Sequence, residues 1–213
     1  MAPLLKICGL TRADQAAAVA TLGCDAIGVI GVPTSPRWLA PGQRADLFAA
    51  VTAANPRCRG VLVVADPRDD LLPELGSAGG HRVLQLHGGE TPQRCAELRQ
   101  QLGVEIWKAL RIRSAQDLER VEAYAAVVDA LLLDAYVPDQ LGGTGHAIPL
   151  AWLSRFDPPL PWWLAGGIAA ERVATVLATL RPDGLDASSG VERAPGDKNL
   201  ARVKELVEAV RRA

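Results

Sequence analysis

Eight short apolar runs recur along this sequence, and most are separated by helix-like segments. A loop rich in Gly, Pro or Ser follows each run, so the chain repeats one strand–loop–helix unit. Eight such runs within 213 residues fit eight βα units with little chain to spare. The predicted strands are Leu4–Cys8, Ala26–Ile30, Gly60–Val64, Val83–His87, Glu105–Leu110, Ala130–Asp134, Trp162–Ala165 and Gly184–Ala187.

The segments between the strands predict helices. Ser114 with Asp117 resembles a capping box at the start of one of them. Strands that are apolar at nearly every position and separated by helices indicate a parallel sheet covered on both faces. We therefore predict an α/β fold, a single-domain (β/α)8 TIM barrel with parallel strands over residues 1–213. An open doubly wound sheet is the alternative, but it would need an edge strand and usually has fewer units. The predicted helices are Arg12–Leu22, Thr91–Leu102, Ser114–Ala126, Ala170–Leu180 and Asn199–Arg212.

Charge and hydropathy narrow the class of partner. The formal net charge is −1 and the sequence pI is about 6.3, so the chain lacks the basic character typical of nucleic-acid or anionic-membrane binding. The longest apolar runs, such as Ala130–Leu133, are too short to span a membrane, and no basic segment with a long apolar core opens the sequence. We predict a small-molecule partner, no nucleic acid or membrane partner, and a cytoplasmic location.

The four cysteines do not form a recognisable cofactor motif. Cys8, Cys24, Cys58 and Cys95 are widely spaced and include no CxxC pair. This spacing suggests neither a zinc knuckle nor a redox dithiol. We predict no metal site at these cysteines.

In a barrel of this type, function is found where the C-terminal ends of the strands meet. A thiol, a carboxylate, an arginine and two turns suited to phosphate are predicted there, which suggests acid–base chemistry on a phosphorylated anion. Gly184–Glu192 is the most informative segment, because a strand breaks into two serines and a glycine whose N–H groups can face a phosphate. The strand-end residues are Cys8, Ser35, Pro36, Arg37, His87, Arg111, Asp134, Gly166, Gly167, Ser188, Ser189 and Gly190.

Each candidate also has a structural interpretation. Cys8 could be a small buried hydrophobe, Asp134 a loop cap, and Arg37 a solvated loop charge. His87 could support the loop that follows it. His81 lies at the opposite end of the predicted fourth strand, so we expect it on the surface.

Seven segments in order along the chain resemble phosphoribosylanthranilate isomerases. The most diagnostic are KICG at Lys6–Gly9, within LKICGLTR at Leu5–Arg12, and DASSGVE at Asp186–Glu192. Single matches such as the AGG turn recur in other phosphate-binding barrels, whereas this combination is specific. The remaining segments are SPR at Ser35–Arg37, LQLHG at Leu84–Gly88, LLLDA at Leu131–Ala135, GGTG at Gly142–Gly145 and LAGG at Leu164–Gly167.

The resemblance implies an aldose–ketose isomerase of tryptophan biosynthesis that works without a cofactor, as a monomer or homodimer. Its reaction is the Amadori rearrangement of N-(5'-phosphoribosyl)anthranilate, the third step from chorismate to tryptophan. Family matching implies that Cys8 is the general base and Asp134 the general acid, and that Arg37 binds the anthranilate carboxylate. The other implied substrate-binding residues are His87, Gly143, Gly145, Gly166, Gly167, Ser188, Ser189 and Gly190.

The loop after the sixth strand departs from the family pattern. His146 follows GGTG where many members carry a lysine, and the segment to Ala151 is two residues longer. We expect this to alter loop closure and affinity more than reaction type. Two other functions stay open: another phosphate-binding barrel enzyme, which would need metal ligands or a catalytic lysine, and a barrel that binds without turnover.

Overall fold

Eight parallel strands close into a barrel in the computed structural model, which describes residues 2–137 and 145–213. Each strand pairs with its neighbours in chain order, and the eighth pairs with the first. The predicted fold class is confirmed, and three strands have the predicted bounds while the others differ by one or two residues. The strands are β1 Leu4–Cys8, β2 Ala26–Ile30, β3 Arg59–Val64, β4 Val83–Leu86, β5 Glu105–Ile112, β6 Ala130–Ala135, β7 Trp162–Leu164 and β8 Gly184–Ala187.

Helices cover the outside of the barrel. A short antiparallel pair, β9 Glu192–Ala194 and β10 Asp197–Lys198, follows β8 and was not predicted. The helices are α1 Ala13–Thr21, α2 Pro41–Ala54, α3 Leu72–Leu75, α4 Pro92–Leu102, α5 Val121–Ala125, α6 Leu150–Leu153, α7 Ala170–Thr179 and α8 Leu200–Arg212. Within residues 2–137 and 145–213, none of these helices combines the length and apolar character that crossing a bilayer requires.

Capping side chains fix where several helices begin. Thr91 accepts a hydrogen bond from the Arg94 amide, and α4 begins one residue later at Pro92. Asn199 caps α8 in the same way. The helix predicted over Ser114–Ala126 is instead a 3₁₀ segment, Ala115–Arg120, followed by α5. Asp117 Oδ2 accepts the amides of Ser114 and Arg113, so the predicted cap closes a tight turn rather than a long α-helix.

Strand alternation divides the core into two layers. Side chains on one face of each strand pack inside the barrel, including Val61, Leu132 and the stacked pair Trp107 and Trp163, whose ring centroids lie 4.8 Å apart. Side chains on the other face pack under the helices, as Leu5 and Ile7 do in β1. Every second residue of β1 therefore faces the barrel interior, which places Lys6 and Cys8 there.

The surface prediction for His81 is wrong. Its side chain is buried, and Nε2 lies 2.8 Å from the Leu75 carbonyl oxygen. The ring also packs against Phe48 of α2, with centroids 5.8 Å apart. Because α2 was not predicted, neither was the apolar surface that covers this histidine.

Candidate active site

A cavity of about 750 Å³ opens at the C-terminal ends of the strands. Every strand or the loop that follows it contributes a lining residue, as expected for a barrel mouth. The cavity brings together these predicted site residues: Cys8, Arg37, His87, Asp134, Gly145, Gly166, Gly167, Ser188, Ser189 and Gly190. Gly143, also predicted, lies outside the described residues.

Cys8 is the last residue of β1 and is 7% exposed on the cavity wall. Its neighbour in the sheet is Gly28 of β2, where a Cβ would lie only 2.6 Å from the Cys8 Sγ atom. Glycine at this position therefore leaves the space that the thiol occupies. Burial raises the pKa of the Cys8 thiol, against the opposing charge of the Lys6 ammonium.

An ion pair lies beside Cys8 inside the barrel. Lys6 Nζ donates to Asp186 Oδ2 at 2.9 Å, and the two residues are paired across β1 and β8. The Lys6 side chain is fully buried and that of Asp186 is 9% exposed. Burial disfavours the charged lysine, but the neighbouring Asp186 and Cys8 raise the pKa of Lys6, so the ammonium form is retained.

Asp134 lies near the end of β6 and faces His87, which follows β4. His87 Nε2 lies 3.5 Å from Asp134 Oδ2, and both side chains are less than a tenth exposed. On its other side, the His87 ring contacts Gln85, whose Nε2 lies 3.2 Å from His87 Nδ1. When Gln85 donates to Nδ1, the neutral imidazole carries its proton on Nε2, toward Asp134.

Arg37 reaches the cavity from the loop after β2 and is held by Glu192. Arg37 Nε and one terminal nitrogen donate to the Glu192 carboxylate at 2.9 and 2.7 Å. Lys198 Nζ donates to the same carboxylate at 2.7 Å and to the Cys8 carbonyl at 2.5 Å. Although burial favours the neutral acid, Arg37 and Lys198 hold the pKa of Glu192 below its usual value.

The two turns that follow β7 and β8 form one side of the cavity. Gly166 and Gly167 have φ values of +91° and +63°, which residues other than glycine rarely adopt. Arg172 of α7 donates to the carbonyl oxygens of both glycines, at 3.1 and 2.9 Å. This turn leads directly into α7, whose N-terminus carries the partial positive charge that favours anions. Ser188 begins the second turn, which continues as a 3₁₀ segment over Ser189–Val191.

Arg111 also reaches the cavity, but as part of β5 rather than of the loop after it. Its guanidinium carbon lies 4.5 Å from the centroid of the Tyr136 ring, and Arg113 stacks on the same ring at 3.8 Å. Tyr136 itself lines the cavity. Two guanidinium groups close to one aromatic ring give this side of the mouth a planar, cationic character.

Sequence reasoning missed four polar residues that shape the site, namely Gln85, Asp186, Glu192 and Lys198. Gln85 and Asp186 line the cavity, and Glu192 and Lys198 anchor Arg37 and the end of β1. The available signal was a polar residue inside an apolar strand, as for Gln85 and Asp186, because such a residue is buried only with a partner or a function. Across residues 2–137 and 145–213, no group of three or more His, Cys, Asp or Glu is placed to hold a metal ion.

Comparisons with known proteins agree with this geometry. Residues 5–209 match the family model for N-(5'phosphoribosyl)anthranilate (PRA) isomerase. The N-(5'-phosphoribosyl)anthranilate isomerase of Acaryochloris marina (strain MBIC 11017) is 43% identical over 211 residues, covering 97% of each chain. The phosphoribosyl anthranilate isomerase structure from Thermus thermophilus gives a TM-score of 0.83 at 32% identity, covering 98% of each chain. A second phosphoribosyl anthranilate isomerase structure is a complex with reduced 1-(o-carboxyphenylamino)-1-deoxyribulose 5-phosphate. It gives a TM-score of 0.82 at 26% identity and covers 99% of this chain and 100% of that one.

Proposed function

The chain belongs to the N-(5'-phosphoribosyl)anthranilate isomerase family, and we propose that it performs this isomerisation with Cys8 as general base and Asp134 as general acid. The reaction opens the ribose ring and moves the carbonyl function from C1 to C2, which converts an aminoaldose into an aminoketose. The supporting observation is that a thiol and a carboxylic acid line one cavity with two phosphate-type turns.

Ring opening needs a proton on the ring oxygen, and Asp134 supplies it. The C1–O bond breaks, its electron pair stays on the oxygen, and the nitrogen lone pair forms a C1=N bond. This step requires Asp134 in its protonated form, and its place on the cavity wall beside His87 brings the carboxyl group to the substrate. His87 keeps the acid oriented while Gln85 fixes the imidazole.

The second step needs a base at C2, and Cys8 takes that proton as thiolate. The C–H electron pair forms a C1=C2 bond and the electrons of C1=N return to nitrogen, which gives an enolamine that tautomerises to the ketone. Burial opposes the thiolate, while the ammonium groups of Lys6 and Lys198 favour it. Burial is the larger effect and keeps the pKa of Cys8 above its ordinary value, so the two ammonium groups reduce the cost of forming the thiolate rather than forming it outright.

The two ends of the substrate are anchored by different chemistry. The Arg37 guanidinium, oriented by Glu192, attracts the anthranilate carboxylate. The phosphate lies at the turns of Gly166, Gly167, Ser188, Ser189 and Gly190, and Gly145 completes this side of the cavity. Anchors at both ends hold the reacting carbons between acid and base, which is a large part of the rate advantage of such sites.

The decisive experiment compares two site variants with a matched cysteine control. Cys8→Ala and Asp134→Asn should each lower kcat at least about 100-fold, the usual contribution of a general acid or base. Cys95→Ala removes a buried cysteine that does not line the cavity and should keep kcat. Turnover is followed by the loss of fluorescence of freshly prepared N-(5'-phosphoribosyl)anthranilate without added metal. Near-normal turnover in either site variant overturns the acid–base assignment.

Cellular location and assembly belong to the same proposal. An enzyme of amino-acid biosynthesis is expected in the cytoplasm, and we propose a monomer or homodimer. Cell fractionation and light scattering of the purified protein measure these two properties.

A further inference from the structure

Asp186 is a cavity residue to which the proposed mechanism gives no role. It lies in β8 with its side chain inside the barrel, directly across from Lys6 and close to Cys8. Its side chain is 9% exposed, so the carboxylate contacts the cavity but little bulk water. A carboxylate in such a position is costly unless its oxygens have partners.

The two oxygens of Asp186 have different surroundings. Oδ2 accepts the hydrogen bond from Lys6. Oδ1 is buried and has no hydrogen-bond partner among the residues that the structure describes. Buried polar atoms in proteins nearly always have a partner, so an unpaired acceptor at a cavity wall suits a donor that a ligand brings.

The groups around Asp186 are those already assigned to the reaction. Lys6 and Cys8 face it from β1, Asp134 from β6, and His87 from the end of β4. Burial raises the pKa of Asp186 and the charge of Asp134 adds to this, while Lys6 opposes it. The carboxyl group of Asp186 therefore interacts with the acid, the base and the imidazole, between which the proposed mechanism places the sugar of the substrate.

We propose that Asp186 is a further substrate-contacting residue, whose Oδ1 accepts a hydrogen bond from a sugar hydroxyl next to the carbon that Cys8 deprotonates. This inference rests on the proposed function. The open sugar chain brings hydroxyl donors to this depth, whereas the two ends of the substrate are anionic. Lys6 already holds Oδ2, so Oδ1 is the oxygen left for this contact, and Asp186 is a residue of the cavity wall.

Asp186→Asn tests this contact because it reverses the chemistry of one atom. The amide oxygen must face the Lys6 ammonium, so the NH₂ group replaces Oδ1 and offers a donor where the hydroxyl needs an acceptor. The probes are the reduced 1-(o-carboxyphenylamino)-1-deoxyribulose 5-phosphate named above, which carries sugar hydroxyls, and inorganic phosphate, which does not. Asp186→Asn should weaken binding of the analogue roughly 10- to 100-fold and change phosphate binding less than about twofold.

Glu90→Gln is the matched control, because Glu90 pairs with the buried Lys108 and does not line the cavity. Its ratio of analogue to phosphate affinity should equal that of the wild type. Analogue affinity within twofold of the wild type in Asp186→Asn, equal losses for both probes, or the same ratio change in Glu90→Gln would each overturn the proposal. Should Asp186→Asn fail to fold, Asp186→Ser is measured against the same criteria. Binding needs no turnover, so failure of the Cys8 and Asp134 assignments is scored separately.

Discussion

Two of the buried lysine–carboxylate pairs among the described residues have the same chemistry and different surroundings. Lys6 of β1 pairs with Asp186 inside the barrel, and Lys108 of β5 pairs with Glu90 on the outer, helix-facing side. The outer pair is complete: Glu90 also accepts the amides of Asp66 and Gly88, at 2.7 and 3.0 Å. Lys108 donates in addition to the Gly88 carbonyl at 2.7 Å.

The inner pair leaves one acceptor oxygen without a donor. Asp186 accepts from Lys6 alone among the described residues, and its other oxygen is buried without a hydrogen-bond partner in a residue that lines the cavity. The difference shows that burial of an ion pair does not by itself indicate function. A fully satisfied pair, such as Lys108 with Glu90, holds the loop after β4 in place, whereas an unsatisfied one beside a thiol is a position for a ligand.

Removing each lysine should distinguish the two pairs by how much free energy of unfolding each variant loses. Lys6→Met and Lys108→Met each leave a buried carboxylate without its cation, and we expect losses of about 3–5 kcal/mol in the free energy of unfolding. Lys6→Met should lose more at neutral pH, because Glu90 keeps two backbone donors and Asp186 keeps none. Urea unfolding of both variants measures this. A larger loss in Lys108→Met would contradict the comparison.

The pH dependence of the same variants should differ in slope. Burial already raises the pKa of Asp186 in the folded protein, and removing Lys6 raises it further above its unfolded value near 3.9. Between these two pKa values the folded state holds a proton that the unfolded state has lost, so stability falls as pH rises. The free energy of unfolding of Lys6→Met should therefore fall from pH 4 to pH 8 more steeply than that of Lys108→Met. Parallel curves would show that Asp186 does not take up the proton.

The sequence predicted the strands and most of the cavity residues but not these partners. Each strand is a local apolar run, so its position follows from nearby residues, and the loop after each strand then indicates which side chains meet at the mouth. Lys6 and Asp186, in contrast, are 180 positions apart, and only closure of the barrel between β1 and β8 brings them together.

Segments without a clear period were also missed. Helix α2 has no sharp apolar stripe, and β9 and β10 are held largely by Glu192 and Lys198, whose contacts extend to Arg37 and Cys8. The polar residues within apolar strands were visible, yet which carboxylate would neutralise Lys6 or Lys108 depended on tertiary contacts. The inward or outward direction of each lysine follows from strand alternation once the barrel is accepted.

The smallest effect is expected next to the outer pair, and it tests whether the role of that pair is purely structural. Tyr124 of α5 donates its hydroxyl to the Glu90 carbonyl at 2.9 Å, and its ring lies 6.0 Å from Lys108 Nζ. Tyr124→Phe removes that hydrogen bond and keeps the ring, so the free energy of unfolding should fall by about 0.5–1.5 kcal/mol. Because Tyr124 does not line the cavity, kcat and KM should match those of the wild type. A change in KM would mean that the outer pair is coupled to the cavity through the loop of His87 and Gly88, and the contrast between the two pairs would then be one of degree.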